Sequence, residues 1–210
     1  MDINFVIEKF LLVTILFAIT LLIAMYSTYA ERKVAAFLQD RLGPDRAGPF
    51  GILQPLADGL KMFMKEEIIP TNASKWLFMV GPGLAMLCAC IGTAVIPWGQ
   101  DLNVGGRIIP LQVTDINVGV LYIFGVVSLG VYGVMIGGWA SNNKYSLLSA
   151  IRAASQNISY EVAMGLSIIA LLLLTNTLSL REIVEQQHGW RWNVFYQPLG
   201  FLIFMICSFA

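Results

Sequence analysis

The sequence predicts an all-α fold, a polytopic transmembrane helical bundle. It has four complete helices, the start of a fifth, and an amphipathic interfacial helix after helix 1. Three observations predict it. Of the 210 residues, 57% are hydrophobic and only 12% charged, with a mean hydropathy of +0.72; soluble domains carry about 25% charged residues. Four stretches of 21 to 25 residues are free of charge except for one acid, Glu161. Each matches the roughly 20 residues needed to cross a hydrocarbon core about 30 Å thick. The alternating pattern of a membrane barrel, about ten residues per strand, is absent, so helices remain the way to satisfy a backbone in lipid.

The first span is residues 10–30. Asp2 and Glu8 make its flank acidic, and its apolar run is longer than a cleaved signal's core, so it reads as a permanent membrane helix. The second span is 76–98, which Pro82 is expected to kink near its start. The third is 116–140 and the fourth 158–180, the latter holding Glu161. Residues 198–210 open a fifth segment of 13 residues, too short to span upright, so the sequence reads as cut in mid-helix. The connections 99–115 and 181–197 are short, with Asn103, Gly105 and Gly106 suggesting a turn. Gly81, Gly83, Gly125, Gly130, Gly133, Gly137 and Gly138 are expected to permit close helix packing. Trp76, Trp98, Trp139, Trp190 and Trp192 fall near span ends, as an aromatic belt requires. The whole chain, 1–210, reads as one membrane domain without internal repeats.

Orientation follows from the basic residues. The connection 31–75 holds Arg32, Lys33, Arg41, Arg46, Lys61, Lys65 and Lys75, and 141–157 adds Lys144 and Arg152. The opposite side holds Lys9, Arg107, Arg181 and Arg191. The N-terminus is therefore expected outside, with the basic connections inside.

The segment Gly48–Pro70, GPFGILQPLADGLKMFMKEEIIP, carries five charges between two membrane spans. Charged groups in such a place are costly unless paired or put to use. Ile52, Leu56, Leu60 and Phe63 recur on one helix face, and Gln54, Asp58, Lys61 and Lys65 on another. Pro55 fits the first turn and Pro70 bars continuation. A second constellation is Glu31, Arg32 and Lys33 at the end of helix 1, followed by Gln39, Arg41 and the Gly43-Pro44 turn. A third is Arg152, Gln156, Ser159, Tyr160 and Glu161. Glu161 lies three residues inside the predicted start of the fourth span, a depth of about 4.5 Å at roughly 1.5 Å per residue. Acids and bases in a partly dry setting have coupled, shifted pKa values and can pass protons or respond to a nearby anion.

Other chemistries lack their signatures. Cys88, Cys90 and Cys207 all lie in membrane segments without a CxxC pair or iron–sulfur spacing, and read as packing residues. His188 reads as a solvated residue of an outer connection. There is no Walker loop or dinucleotide fingerprint, so the chain is expected to hold no redox centre of its own.

ERK at 31–33, QDRLGPDRAGPFGILQPLADGLKMFMKEEIIP at 39–70 and GWASNNKYSLLSAIRAASQNISYE at 138–161 closely resemble the H-subunit family of NADH–quinone oxidoreductase. That family includes subunit 1 of mitochondrial complex I. The resemblance covers essentially the whole chain. It implies an eight-helix membrane subunit of a multisubunit translocase, not an enzyme alone, that forms the quinone-access chamber and couples quinone reduction to proton pumping. Quinone is then the substrate, while flavin, iron–sulfur clusters and NAD belong to partner subunits. The partners implied are the quinone-reducing peripheral subunits, the proton-pumping membrane subunits and membrane lipid, with no nucleic acid.

The family's charged residues between chamber and pump match Glu31, Arg32, Arg41, Asp58, Lys61, Arg152 and Glu161. The proton-coupling candidates are then Glu31, Asp58, Lys61, Arg152 and Glu161, and the quinone-chamber candidates Arg32, Arg41, Gln54, Asp58 and Lys61. No nucleophile, acid–base catalyst or metal ligand is implied. The resemblance places the chain in the inner (plasma) membrane of a bacterium, in preference to an organellar inner membrane. The family continues past Ala210 with an acidic loop and three more helices, so a C-terminal truncation is expected. The alternative is the equivalent subunit of an energy-converting membrane-bound hydrogenase, against which the fullness of the 48–70 match counts. An ion transporter would favour broken helices or inverted repeats, and a purely structural anchor would leave Glu161 idle.

Overall fold

The computed structural model describes residues 3–104 and 107–209, and the chain divides into two compact units, Met1–Ile68 and Ile69–Ala210. Gly105 and Gly106, where a turn is expected, lie outside the described residues.

The first unit is built on α1, Ile3–Leu38. This helix runs beyond the charge-free stretch and carries Glu31, Arg32 and Lys33 on its last turns. It ends in a Schellman motif: Asp40 takes the left-handed conformation at φ 50, Asp40 N–H donates to Phe37 and Arg41 N–H to Ala36. The chain then passes through an irregular turn, Pro49–Gly51, in which Phe50 leaves helical geometry, and enters α2, Gln54–Phe63.

Pro55 sits in the first turn of α2, as expected. The helix stops at Phe63, so Lys65 lies beyond it rather than on its polar stripe. Two forces end it early. Glu66 and Glu67 would place negative charge at the negative end of the helix dipole, and Pro70 disfavours helical geometry at Ile69. Leu56, Leu60 and Phe63 keep an exposed apolar face, Phe63 at 91%.

The second unit begins with α3, Lys75–Gly92, which contains Pro82 and continues as a 3-10 turn, Thr93–Val95. Two short strands follow, β1 (Leu102–Val104) and β2 (Arg107–Ile109), paired antiparallel with Leu102 opposite Ile109. Then come α4 (Gly119–Ala140) and α5 (Lys144–Thr175). Three short helices close the described chain: α6 (Leu180–Glu185), α7 (Asn193–Tyr196) and α8 (Pro198–Phe209). By length and composition, four helices are apolar enough to cross a membrane, and α8 is apolar but shorter. The molecule is thus a multi-pass helical membrane protein.

Two boundaries differ from the sequence reading. The stretch 141–157 is not a connection: only Ser141, Asn142 and Asn143 separate α4 from α5. The Asn143 side chain accepts from Tyr145 N–H and caps the helix, and the run SLLSAIRAA that follows is rich in helix-forming residues. At the other end α5 stops at Thr175, not Leu180, because Asn176 turns left-handed at φ 54.

Helices α3 and α4 meet backbone to backbone. A Cβ on Gly81 would lie 2.8 Å from Gly137 Cα, and one on Gly133 would lie 2.6 Å from the Gly81 carbonyl oxygen. Small residues permit this approach where the hydrophobic effect gives no drive for helices to associate. Gly138 plays the same part between α4 and α5, facing Ala150. Gly83 and Gly125, expected to do likewise, face open space. All five tryptophans are exposed.

Candidate functional site

Some of the polar residues singled out from the sequence meet, and others do not. In the first unit, Arg32 near the end of α1 reaches Asp58 in the middle of α2. Its Nη1 donates to Asp58 Oδ2 at 2.6 Å. Gln54, one turn earlier on α2, donates from Nε2 to the other carboxylate oxygen at 3.1 Å. The spacing of four residues on one helix puts the two side chains within reach of each other. Asp58 is held below the ordinary carboxylate range, first by the Gln54 amide and then by the Arg32 guanidinium, with Lys61 nearby adding to the effect. Its side chain is 37% exposed, so solvent screens the pair.

The loop between α1 and α2 is folded with unusual tightness. Gly48 and Gly51 both take positive φ, 75 and 78. A Cβ on Gly51 would lie 2.1 Å from the Pro44 carbonyl oxygen, which no side chain permits. Between them Phe50 sits at φ 56. A bulky residue in that region is strained and persists only where its surroundings over-determine it. Here Tyr29 on α1 donates its hydroxyl to the Phe50 carbonyl at 2.6 Å, and Leu53 N–H donates to Ala47. The phenyl ring itself is left 76% exposed. These contacts give the GPFG motif its physical reason: two glycines close the loop and present an aromatic ring.

Beside the Arg32–Asp58 bridge lies a cavity of about 610 Å³ lined by Arg32, Arg41, Arg46, Asp45 and Gln54, with Gly43 and Pro44 completing its wall. Arg41 is steadied by its Nε donating to Gln39 at 2.7 Å. Three guanidinium groups against one lining carboxylate make a net positive hollow. It can bind an anion or stabilise negative charge as it develops on a ligand oxygen. Lys61 is exposed on the last turn of α2, and Glu31, also exposed, forms no ion pair among the described residues.

In the second unit, Glu161 lies in the middle of α5 rather than near a helix start, because α5 begins at Lys144. It is half-buried and pairs with Ser128 on α4. Arg152 is exposed and nine residues earlier on the same helix, a rise of about 14 Å at roughly 1.5 Å per residue, so the two do not pair. Sequence reasoning missed Ser128. Its sequence signal is only a hydroxyl inside one charge-free span and an acid inside another, which does not say that the two meet.

A third polar cluster, also unforeseen, joins the connections 99–115 and 181–197. Arg181 donates to Asp101 at 3.0 Å and to Glu185 at 3.0 Å. Its guanidinium pKa is raised, first by Glu185 and then by Asp101. Ser179 caps α6 by accepting from Glu182 N–H. His188, exposed as expected, lines a cavity of about 640 Å³ beside this cluster.

Against known proteins, the NADH dehydrogenase family matches residues 11–210. The chain is 70% identical over 208 residues to the NADH-quinone oxidoreductase H-subunit 1 of Cytophaga hutchinsonii, covering 99% of this chain and 61% of that protein. It is 63% identical to the NADH-quinone oxidoreductase H-subunit of Flavobacterium johnsoniae, covering 100% and 60%. It is 50% identical to the H-subunit 2 of Geobacter metallireducens, covering 94% and 60%. The chain thus spans about three fifths of the length of these relatives.

Proposed function

The chain belongs to the NADH dehydrogenase family, and from that premise we propose that it is the membrane subunit of a proton-translocating NADH:quinone oxidoreductase in which quinone is reduced. The observation that carries this reading is the Arg32–Asp58–Gln54 bridge beside a cavity lined by three arginines. A quinone taking two electrons and two protons develops negative charge on its carbonyl oxygens. Fixed guanidinium groups placed before that charge appears stabilise it without reorganising. Arg32 and Arg41 are positioned by Asp58 and Gln39, so their charges stand ready rather than wandering.

Electrons reach the quinone from NADH through flavin and iron–sulfur carriers on peripheral partner subunits. The exposed apolar face of α2 guides the substrate's isoprenoid tail or packs on a neighbouring helix. Charge formed near the cavity is passed on through Glu31, Asp58, Lys61 and Glu161 toward the proton-pumping subunits, with Arg152 contributing a permanent positive charge. The chain lies in a bacterial inner membrane with its N-terminus outside. The uneven distribution of lysine and arginine supports that orientation.

Purification of the native assembly through a tag on the N-terminus tests this reading. It predicts co-purification with flavin- and iron–sulfur-bearing subunits and NADH oxidation that depends on quinone. Co-purification with a hydrogenase, or migration without partners, contradicts it.

A further inference from the structure

Ser128 is the residue to which the packing of α4 on α5 gives a task. Its hydroxyl lies 2.8 Å from the Phe124 carbonyl oxygen one turn back on α4, and also within hydrogen-bond reach of Glu161 Oε1 on α5. A serine hydroxyl carries one proton and two acceptor sites. It cannot donate to both oxygens at once.

From this geometry we infer that Ser128 is a rotor that keeps Glu161 hydrogen-bonded in both of its protonation states. When Glu161 is ionised, Ser128 donates to the carboxylate. When Glu161 takes a proton from water, its new O–H donates to Ser128 Oγ, and the serine turns its own proton to the Phe124 carbonyl. Loss of the proton back to water reverses both steps. The exchange needs rotation about one Cβ–Oγ bond and no movement of either helix. Its value lies in the setting. A half-buried carboxyl between two apolar helices costs free energy in whichever protonation state lacks a partner. With a hydroxyl able to reverse its role, neither state is orphaned. α4 carries no charged side chain that could serve instead, and the other charges on α5, Lys144 and Arg152, are remote along the helix. Gly165, one turn after Glu161, faces the Phe124 ring, where a Cβ would make ordinary contact at 3.9 Å.

Ser128 is therefore a positioning residue, acting through Glu161, and this inference rests on the proposed coupling role of Glu161. Its test uses the assembled complex in lipid vesicles, with Ser128→Ala, Ser128→Thr and Glu161→Gln, and infrared difference spectra recorded through a pH titration. The carboxylic-acid stretch that vanishes in Glu161→Gln marks the residue. In Ser128→Ala that band moves, and proton pumping falls roughly tenfold, the worth of one hydrogen bond to an ionisable group. Ser128→Thr, which keeps the hydroxyl, restores both. Ser128→Ala added to Glu161→Gln costs nothing further. An unmoved band in Ser128→Ala, the absence of any such band, or a threonine variant that behaves like alanine overturns the inference. Normal pumping in Glu161→Gln instead removes Glu161 from the coupling path, whatever the infrared band does, so the two failures are told apart.

Discussion

Arg32 and Asp58, separated by 26 residues in sequence, meet at 2.6 Å and tie the end of α1 to the middle of α2. Gln54 holds the second carboxylate oxygen, so the acid is gripped from both helices. That grip sets the position of Arg32 at the wall of the basic cavity.

The grip has a definite pH signature. The folded carboxyl is held below its ordinary value of 3.8. Its contribution is therefore fully present above that value and is lost as pH falls through the lowered one. In detergent, Asp58→Asn should lower Tm by an amount that stays constant across the neutral range and shrinks only in acid. A gap that widens as pH falls would show that the pair does not work this way.

Gly133→Ala should separate α3 from α4. The added Cβ would stand 2.6 Å from the Gly81 carbonyl oxygen, a backbone atom that cannot move cheaply. Overpacking of this kind costs about 1–3 kcal/mol. Gly83→Ala, facing open space on α3, is the control. It should leave stability unchanged or raise it by up to about 1 kcal/mol through helix propensity. Thermal unfolding of both variants reads the difference, and equal effects would contradict the packing described.

Gly51→Ala should open the loop between α1 and α2. The residue needs φ 78 and has no room for a Cβ beside Pro44. Strain of this kind costs about 1–3 kcal/mol, and limited proteolysis between residues 39 and 54 should accelerate. Unchanged cleavage would mean that the loop is not held by this turn.

Arg181→Gln should loosen the link between the connections 99–115 and 181–197. Both of its ion pairs are about one-third exposed or more, so each is worth about 0.2–1 kcal/mol and is screened by salt. The Tm difference from the wild type should narrow as salt rises. Because the raised arginine pKa lies far above any working pH, the difference should not vary with pH near neutrality.

What the sequence disclosed follows from the range of its signals. Helix existence was legible, because charge-free runs of 21 to 25 residues are a long and strong pattern. So was the polar face of α2, where Gln54 and Asp58 sit four apart and touch. Boundaries were less legible. The segment from Lys144 to Asn157 is polar enough to resemble a loop, yet its Asn143 cap and helix-forming residues carry α5 straight through it. Long-range partners were hidden altogether. Nothing local to Ser128 announces Glu161, 33 residues away, or to Asp101 announces Arg181, 80 residues away. The glycines divide the same way: Gly81 and Gly133 pack while Gly83 and Gly125 do not, because composition marks small residues without saying which face they occupy.

If the Arg32–Asp58 site serves quinone, its loss must spare electron entry from NADH. The assembled complex carrying Asp58→Asn should therefore be assayed twice, once with quinone and once with a water-soluble artificial acceptor. Quinone-dependent NADH oxidation should fall by roughly tenfold or more, the scale on which misplaced electrostatic groups act, while oxidation through the artificial acceptor stays at the wild-type level. Full quinone activity, or equal loss in both assays, would contradict the assignment.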